Sequence, residues 1–207
     1  MKLESAVFAV AGMCFGIILG WVIGTQQART AVTTAPAPAA QASAGGGGTT
    51  QRQAPPLDEA KVQSLTTILK SDPNNASATL QLANAYFDAE RFQDAIQWYE
   101  RTVKLDPKNV DANTDLGVSY YYESRADEAL ATFERSLQMD PGHTKTLLNK
   151  GIVLAFGKED LKAAAVEWQK VVELAPSSPE GETARRALEG VAAAHAGGAA
   201  GAPGTQQ

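Results

Sequence analysis

Residues 82–107 read LANAYFDAERFQDAIQWYERTVKLDP, and residues 116–141 read LGVSYYYESRADEALATFERSLQMDP. Laid over one another, Leu82-Ala83 matches Leu116-Gly117, Tyr86 matches Tyr120, Ala95 matches Ala129, and Tyr99 matches Phe133. A third copy, with one residue inserted between its helices, supplies Gly151, Leu154, Ala164 and Trp168. The prolines Pro73, Pro107, Pro141 and Pro176 punctuate the stretch at steps of 34, 34 and 35 residues. A period in that range belongs to stacked helical pairs.

The spacing has a physical reading. Ala83, Gly117 and Gly151 stand where two helices must approach closely, because a larger side chain would hold them apart. Ala95, Ala129 and Ala164 do the same on the second helix. The aromatic residue four positions on (Tyr99, Phe133, Trp168) shares that face and fills the space between pairs. Each proline stops the second helix and forces an extended residue before it. One pair cannot bury its apolar face alone, so each needs the next. Three positions of the third copy depart from the pattern: Lys150 replaces leucine, Leu154 replaces tyrosine and Ala175 replaces aspartate.

These residues resemble the tetratricopeptide repeat family over about half of the chain. The resemblance implies an all-α solenoid of helical hairpins with three repeats, about 76–109, 110–143 and 144–178, within residues 73–177. It also implies a concave groove, lined by the first helix of each repeat, that receives a protein or peptide partner. On that basis the first repeat contributes Leu80, Asn84, Phe87 and Asp88. The second contributes Asp111, Thr114, Val118, Tyr121 and Tyr122, and the third Lys145, Leu148, Ile152 and Phe156. This apolar set is surplus to the core positions Leu82, Tyr86, Leu116, Tyr120 and Leu154, and exposed apolar patches mark binding surfaces. The alternative is that the flanking helices cover some of these residues. Some family members grip the terminal carboxylate of chaperones. Asn84 and Lys145 stand at two of the places used for that, but Leu80, Asp115 and Asn149 occupy others, and Asp115 would repel a carboxylate.

The chain has 207 residues, 44% hydrophobic and 20% charged, with a net charge of −5. Residues 57–196 hold 15 Lys/Arg against 22 Asp/Glu, and there is no basic run, which argues against nucleic acid as a partner. No spacing suits a metal, since His143 and His195 are isolated. There is no nucleophile elbow around Ser119, and Gly157-Lys158 lacks the rest of a phosphate loop. Asp127-Glu128 and Glu159-Asp160 stand at the starts of second helices, where carboxylates favour the helix dipole. No cofactor and no enzymatic activity are expected.

Ser5 to Gly24 holds 20 residues without a charge, which as a helix would span about 30 Å, the thickness of a bilayer core. Residues 1–24 are therefore expected to form a separate N-terminal transmembrane anchor. A cleavable signal peptide is the alternative, and Met13 before the lone Cys14 argues against lipoprotein processing. The array is expected on the extracytoplasmic, periplasmic side. Gly12, Gly16, Gly20 and Gly24 recur every fourth residue, a spacing that lets membrane helices touch backbone to backbone. An alternative function follows: a self-assembling membrane protein, a homo-oligomer driven by that glycine face.

Residues 25–56, rich in Ala, Pro, Gly and Thr, read as a disordered linker with a reach of roughly 30 Å. Residues 57–72 read as an N-terminal capping helix with Val62, Leu65, Ile68 and Leu69 on one side. Residues 178–196 read as a closing helix, capped by Ser177 or Ser178 and striped by Ala184, Leu188 and Val191. Residues 197–207 read as a disordered tail. The layout resembles membrane-attached repeat proteins of the bacterial envelope that serve cytochrome c maturation, secretion or pilus assembly.

Overall fold

The Asp-Pro-x-Asn punctuation explains why each first helix begins where it does. In the computed structural model, which describes residues 54–199 (side chains through Ala194), Asn75 and Asn109 each stand two residues past a proline. Each turns its Oδ1 back to accept from Ala78 N or Ala112 N at 2.9 Å. Ser178 occupies the same place after Pro176 and accepts from Gly181 N at 3.0 Å. Such caps satisfy a backbone donor that the helix itself leaves unpaired. His143 holds the position in the third repeat, and its ring meets the Thr146 hydroxyl instead of a backbone N–H.

Eight α-helices and no strand occur among the described residues. A single helix α1 (Glu59–Ser71) precedes the pairs α2 (Ala76–Asp88) with α3 (Phe92–Leu105), and α4 (Val110–Tyr122) with α5 (Ala126–Met139). The third pair is α6 (Thr144–Ile152) with α7 (Leu161–Leu174), and α8 (Pro179–Ala199) closes the series. Each helix packs on the next, and α4, α6 and α8 also touch, forming an inner layer of first helices. The anchor with its glycines, residues 25–53 of the linker and residues 200–207 lie outside the described residues. The closing helix runs to Ala199, past the boundary expected at Gly197. Ile68, expected on the buried side of α1, is exposed, and only Leu65 and Leu69 are buried there.

The small residues sit against the aromatic residues assigned to them. A Cβ on Gly117 would lie 2.5 Å from the Phe133 ring, and one on Gly151 would overlap the Trp168 indole. Tyr99, Phe133 and Trp168 are 1%, 0% and 2% exposed. Burying side chains of this size removes apolar surface worth about 2 kcal/mol or more each.

The turn inside each pair is a Schellman motif. Glu90 and Ser124 take the left-handed conformation (φ 55° and 60°), while Arg91 N donates to Tyr86 O and Arg125 N to Tyr120 O, both at 2.9 Å. The same arginines lie over the Tyr86 and Tyr120 rings, 5.0 and 4.4 Å from the centroids. The third pair absorbs its inserted residue as a π-helical turn, Val153–Gly157. Its closing bond spans one residue more, from Asp160 N to Leu154 O at 2.9 Å, and Glu159 takes the left-handed place (φ 57°). There Leu replaces the tyrosine and Asp160 replaces the arginine, capping α7 through Ala163 N at 2.9 Å.

Candidate partner-binding groove

The first helices present the same register positions side by side, which divides their inner face into two ends. Near the N-termini, Asp111 of α4, Lys145 of α6 and Glu180 of α8 occupy one repeat position. Lys145 Nζ lies 2.7 Å from Asp115 and 3.9 Å from Asp111. Burial works against its charge, but Asp115, through charge and hydrogen bond, with Asp111 and Glu180, holds the pKa above the usual lysine value. His143 Nε2 stands 3.5 Å from the same Asp111 carboxylate.

Near the C-termini the face is aromatic. Phe87 of α2 and Tyr121 of α4 share one repeat position, and Asp88, Tyr122 and Phe156 share the next. Phe87, Tyr121, Tyr122 and Phe156 are half-buried and Asp88 is exposed. Phe87 meets Phe92, Tyr99 and Tyr122 edge-on at 5.4, 6.3 and 6.3 Å, and Tyr122 stacks on Phe92 at 4.2 Å. Burial, with help from Tyr121 and Glu90, pushes the Tyr122 phenol up to about 12. Burial also raises the Asp88 carboxyl; Lys61 opposes and Asp115 adds to that rise.

Between the two ends the floor is filled rather than open. Thr114, Val118, Leu148 and Ile152, read from the sequence as groove liners, are 0%, 9%, 3% and 8% exposed and belong to the interior. Thr114 Oγ1 bonds Thr146 Oγ1 at 2.6 Å, joining α4 to α6. The first helices α4, α6 and α8 touch one another along this layer, and Val118 packs in a core cluster with residues of the second helices. Leu80 is half-buried against the core, and Asn84 accepts a hydrogen bond from Tyr99 Oη at 2.7 Å. Outside that interior, Phe87, Tyr121, Tyr122 and Phe156 are half-buried and Asp88 is exposed, with the Asp111–Lys145 ladder at the far end. Phe92 went unread in the sequence because it opens a second helix; its edge contact with Phe87 and its stacking on Tyr122 across the repeat boundary bring it to this face. A separate cleft of about 590 Å³ lies beside α1, lined by Leu57, Ala60, Val62, Gln63, Tyr86 and Arg91 among others.

A family model described as a TPR repeat matches residues 83–124, and one described as a tetratricopeptide repeat matches residues 114–179. Residues 83–179 are tetratricopeptide repeats. Repeats of this family are protein-interaction modules, generally without catalysis of their own. The chain is similar to the crystal structure of MamA at 18% identity and TM-score 0.54, over 67% of this chain and 88% of that one. It is similar to the first TPR of Spaghetti (RPAP3), bound to the HSP90 peptide SRMEEVD, at 23% identity and TM-score 0.54, over 60% of this chain and 96% of that one. The Arabidopsis OM64 TPR domain matches at 17% identity and TM-score 0.52, over 56% of this chain and 93% of that one. No curated protein matches the sequence. At these identities the structural likenesses establish the fold alone. In this tetratricopeptide array, no group of three or more His, Cys, Asp or Glu could hold a metal among the described residues.

Proposed function

We propose that the chain is a membrane-tethered adaptor or scaffold whose repeat array holds a segment of a partner protein along its inner face. The observation that carries this reading is the aromatic end of that face. Phe87 and Tyr121 stand in repeat register on successive first helices, with Tyr122 next to them, all half-exposed and beside an exposed carboxylate. Aromatic side chains of that kind are favoured anchors for partners. The uncharged run Ser5–Gly24 supports the tether, and the extracytoplasmic face of a bacterial envelope is the placement we infer for the array. Assembly tasks such as cytochrome c maturation, secretion or pilus assembly suit such a layout. Among the described residues, no helix is long and apolar enough to cross a membrane, so the tether rests on the N-terminal run.

The RPAP3 repeat holds a peptide ending in EEVD. Lys145 stands here where a cation could meet such a terminus, but its ammonium is already engaged by Asp115 at 2.7 Å. The groove therefore suits a different segment, and SRMEEVD is expected not to bind. The test is quantitative recovery of partners from native membranes with the full chain and with Phe87→Ala and Tyr121→Ala. The reading requires a partner that is lost from both variants while their helical circular dichroism survives. Retention of every partner by both would refute it.

The glycine spacing favours a second reading, self-association through the anchor. Gly16→Leu with Gly20→Leu should then leave monomers in detergent, and unchanged oligomers would exclude it.

A further inference from the structure

The electrostatics of the inner face name the chemistry of the segment it would hold, an inference that rests on the groove reading above. The last turns of α2 and α4, where the aromatic side chains gather, contain no basic residue. They carry Asp88, and Glu90 and Glu123 follow in the turns, while Arg91 and Arg125, next in those turns, are already paired with Asp94 at 2.6 Å and Glu128 at 3.0 Å. A helix C-terminus bears partial negative charge and is ordinarily met by a cation in its last turn. Along the rest of the face, Asp111, Asp115 and Glu180 surround Lys145, and Lys61 of α1 is the cation coupled to Asp88. Asp88, Asp111, Asp115 and Glu180 thus stand against two ammonium groups, and Lys145, at the far end of the face, is tied to Asp115 at 2.7 Å.

Aromatic faces and carboxylates together are the surroundings that a guanidinium or ammonium group prefers, since a cation is drawn both to the ring quadrupole and to the charge. A terminal carboxylate meets the reverse: Asp88 and Asp115 repel it, and Lys145 is occupied. We propose that the groove selects a cationic segment, a stretch bearing Lys or Arg beside apolar residues. The cation would lie by Asp88 and the apolar residues against Phe87, Tyr121 and Tyr122.

The test is selection from a random-peptide display library on the full chain in detergent, followed by fluorescence anisotropy of the enriched peptides. Enriched peptides should combine Lys or Arg with aromatic or aliphatic residues and bind more weakly as salt rises. Asp88→Asn should weaken them about two- to fivefold, the range expected for one solvent-facing charge pair. Asp115→Asn, which removes the nearest partner of the Lys145 ammonium, should improve binding of an acidic peptide with a free carboxylate relative to the cationic ones. Enrichment of acidic or carboxylate-dependent peptides that nevertheless lose binding in Tyr121→Ala would overturn the cationic inference and leave the groove standing. Enriched peptides indifferent to Tyr121→Ala, or no enrichment, would overturn both.

Discussion

At the residue scale, the departures of the third repeat are compensated in pairs. Lys150 stands where Leu82 and Leu116 are fully buried, and it reaches Glu134 at 2.5 Å and Glu167 at 2.8 Å. Glu167, itself nearly buried, also meets Lys170 at 2.9 Å. Burial alone would raise the Glu167 carboxyl, but the bonds and charges of Lys150 and Lys170 outweigh it and hold the pKa below the usual value. A depressed carboxyl contributes stability that is complete above its unfolded pKa, about 4.3, and disappears as pH falls through the folded value. Acid unfolding of Glu167→Gln should therefore show a weaker pH dependence below about pH 5 than the parent. Lys150→Leu leaves Glu167 with Lys170 as its one remaining ion-pair partner and should cost about 1–3 kcal/mol in urea unfolding, most of it regained in Lys150→Leu with Glu167→Thr. Glu90 offers the opposite sign: its left-handed φ of 55° is a strain that glycine lacks. Glu90→Gly should gain about 0.5–1 kcal/mol after the entropy of glycine is counted.

At the element scale, two glycines that look alike in sequence differ in consequence. Gly151 faces the Trp168 indole, whereas a Cβ on Gly190 of α8 would meet nothing within 4 Å. Gly151→Ala should destabilise by about 1–2 kcal/mol, overpacking exceeding the propensity gain, while Gly190→Ala should stabilise by up to about 1 kcal/mol. Thermal and urea unfolding of the two variants decide both signs. The small–aromatic pairing, the prolines and the capping serine were legible because each is a local demand repeated at a fixed period. The π-helical turn was legible only as an inserted residue. Whether that residue would lengthen the loop or widen the last helical turn depends on Leu154 and Asp160 keeping the interhelical bond. The groove was half legible. Of the residues expected there, Phe87, Tyr121 and Tyr122 are half-buried and Asp88 exposed, but Thr114, Val118, Leu148 and Ile152 are buried by contacts between repeats, which no single repeat can announce.

For the described residues taken as a whole, the array is closed at both ends by charge placed where a further repeat would pack. In α1, Lys61 takes the position held by Ala95, Ala129 and Ala164, and it is exposed. In α8, Arg185 and Arg186 take the positions of Leu82-Ala83 and Leu116-Gly117. Arg185 donates instead to Pro176 O at 2.7 Å. Helix stacking by another copy at either end would bury these charges, so self-association through array ends is disfavoured. Replacing Arg185→Leu with Arg186→Ala restores the repeat pattern there and should give concentration-dependent association in sedimentation, where the parent array ends give none. The central claim is that partners meet the inner face. It is tested most directly by a photo-crosslinking scan in native membranes. A reactive residue is placed singly at Phe87, Asp88 and Tyr121, and at the outward positions Gln97, Ala131 and Val166, which are exposed on second helices. Discrete adducts to another protein from the inner positions, and none from the outer ones, are the predicted result. Adducts from the outer set alone, or equally from both sets, would contradict it.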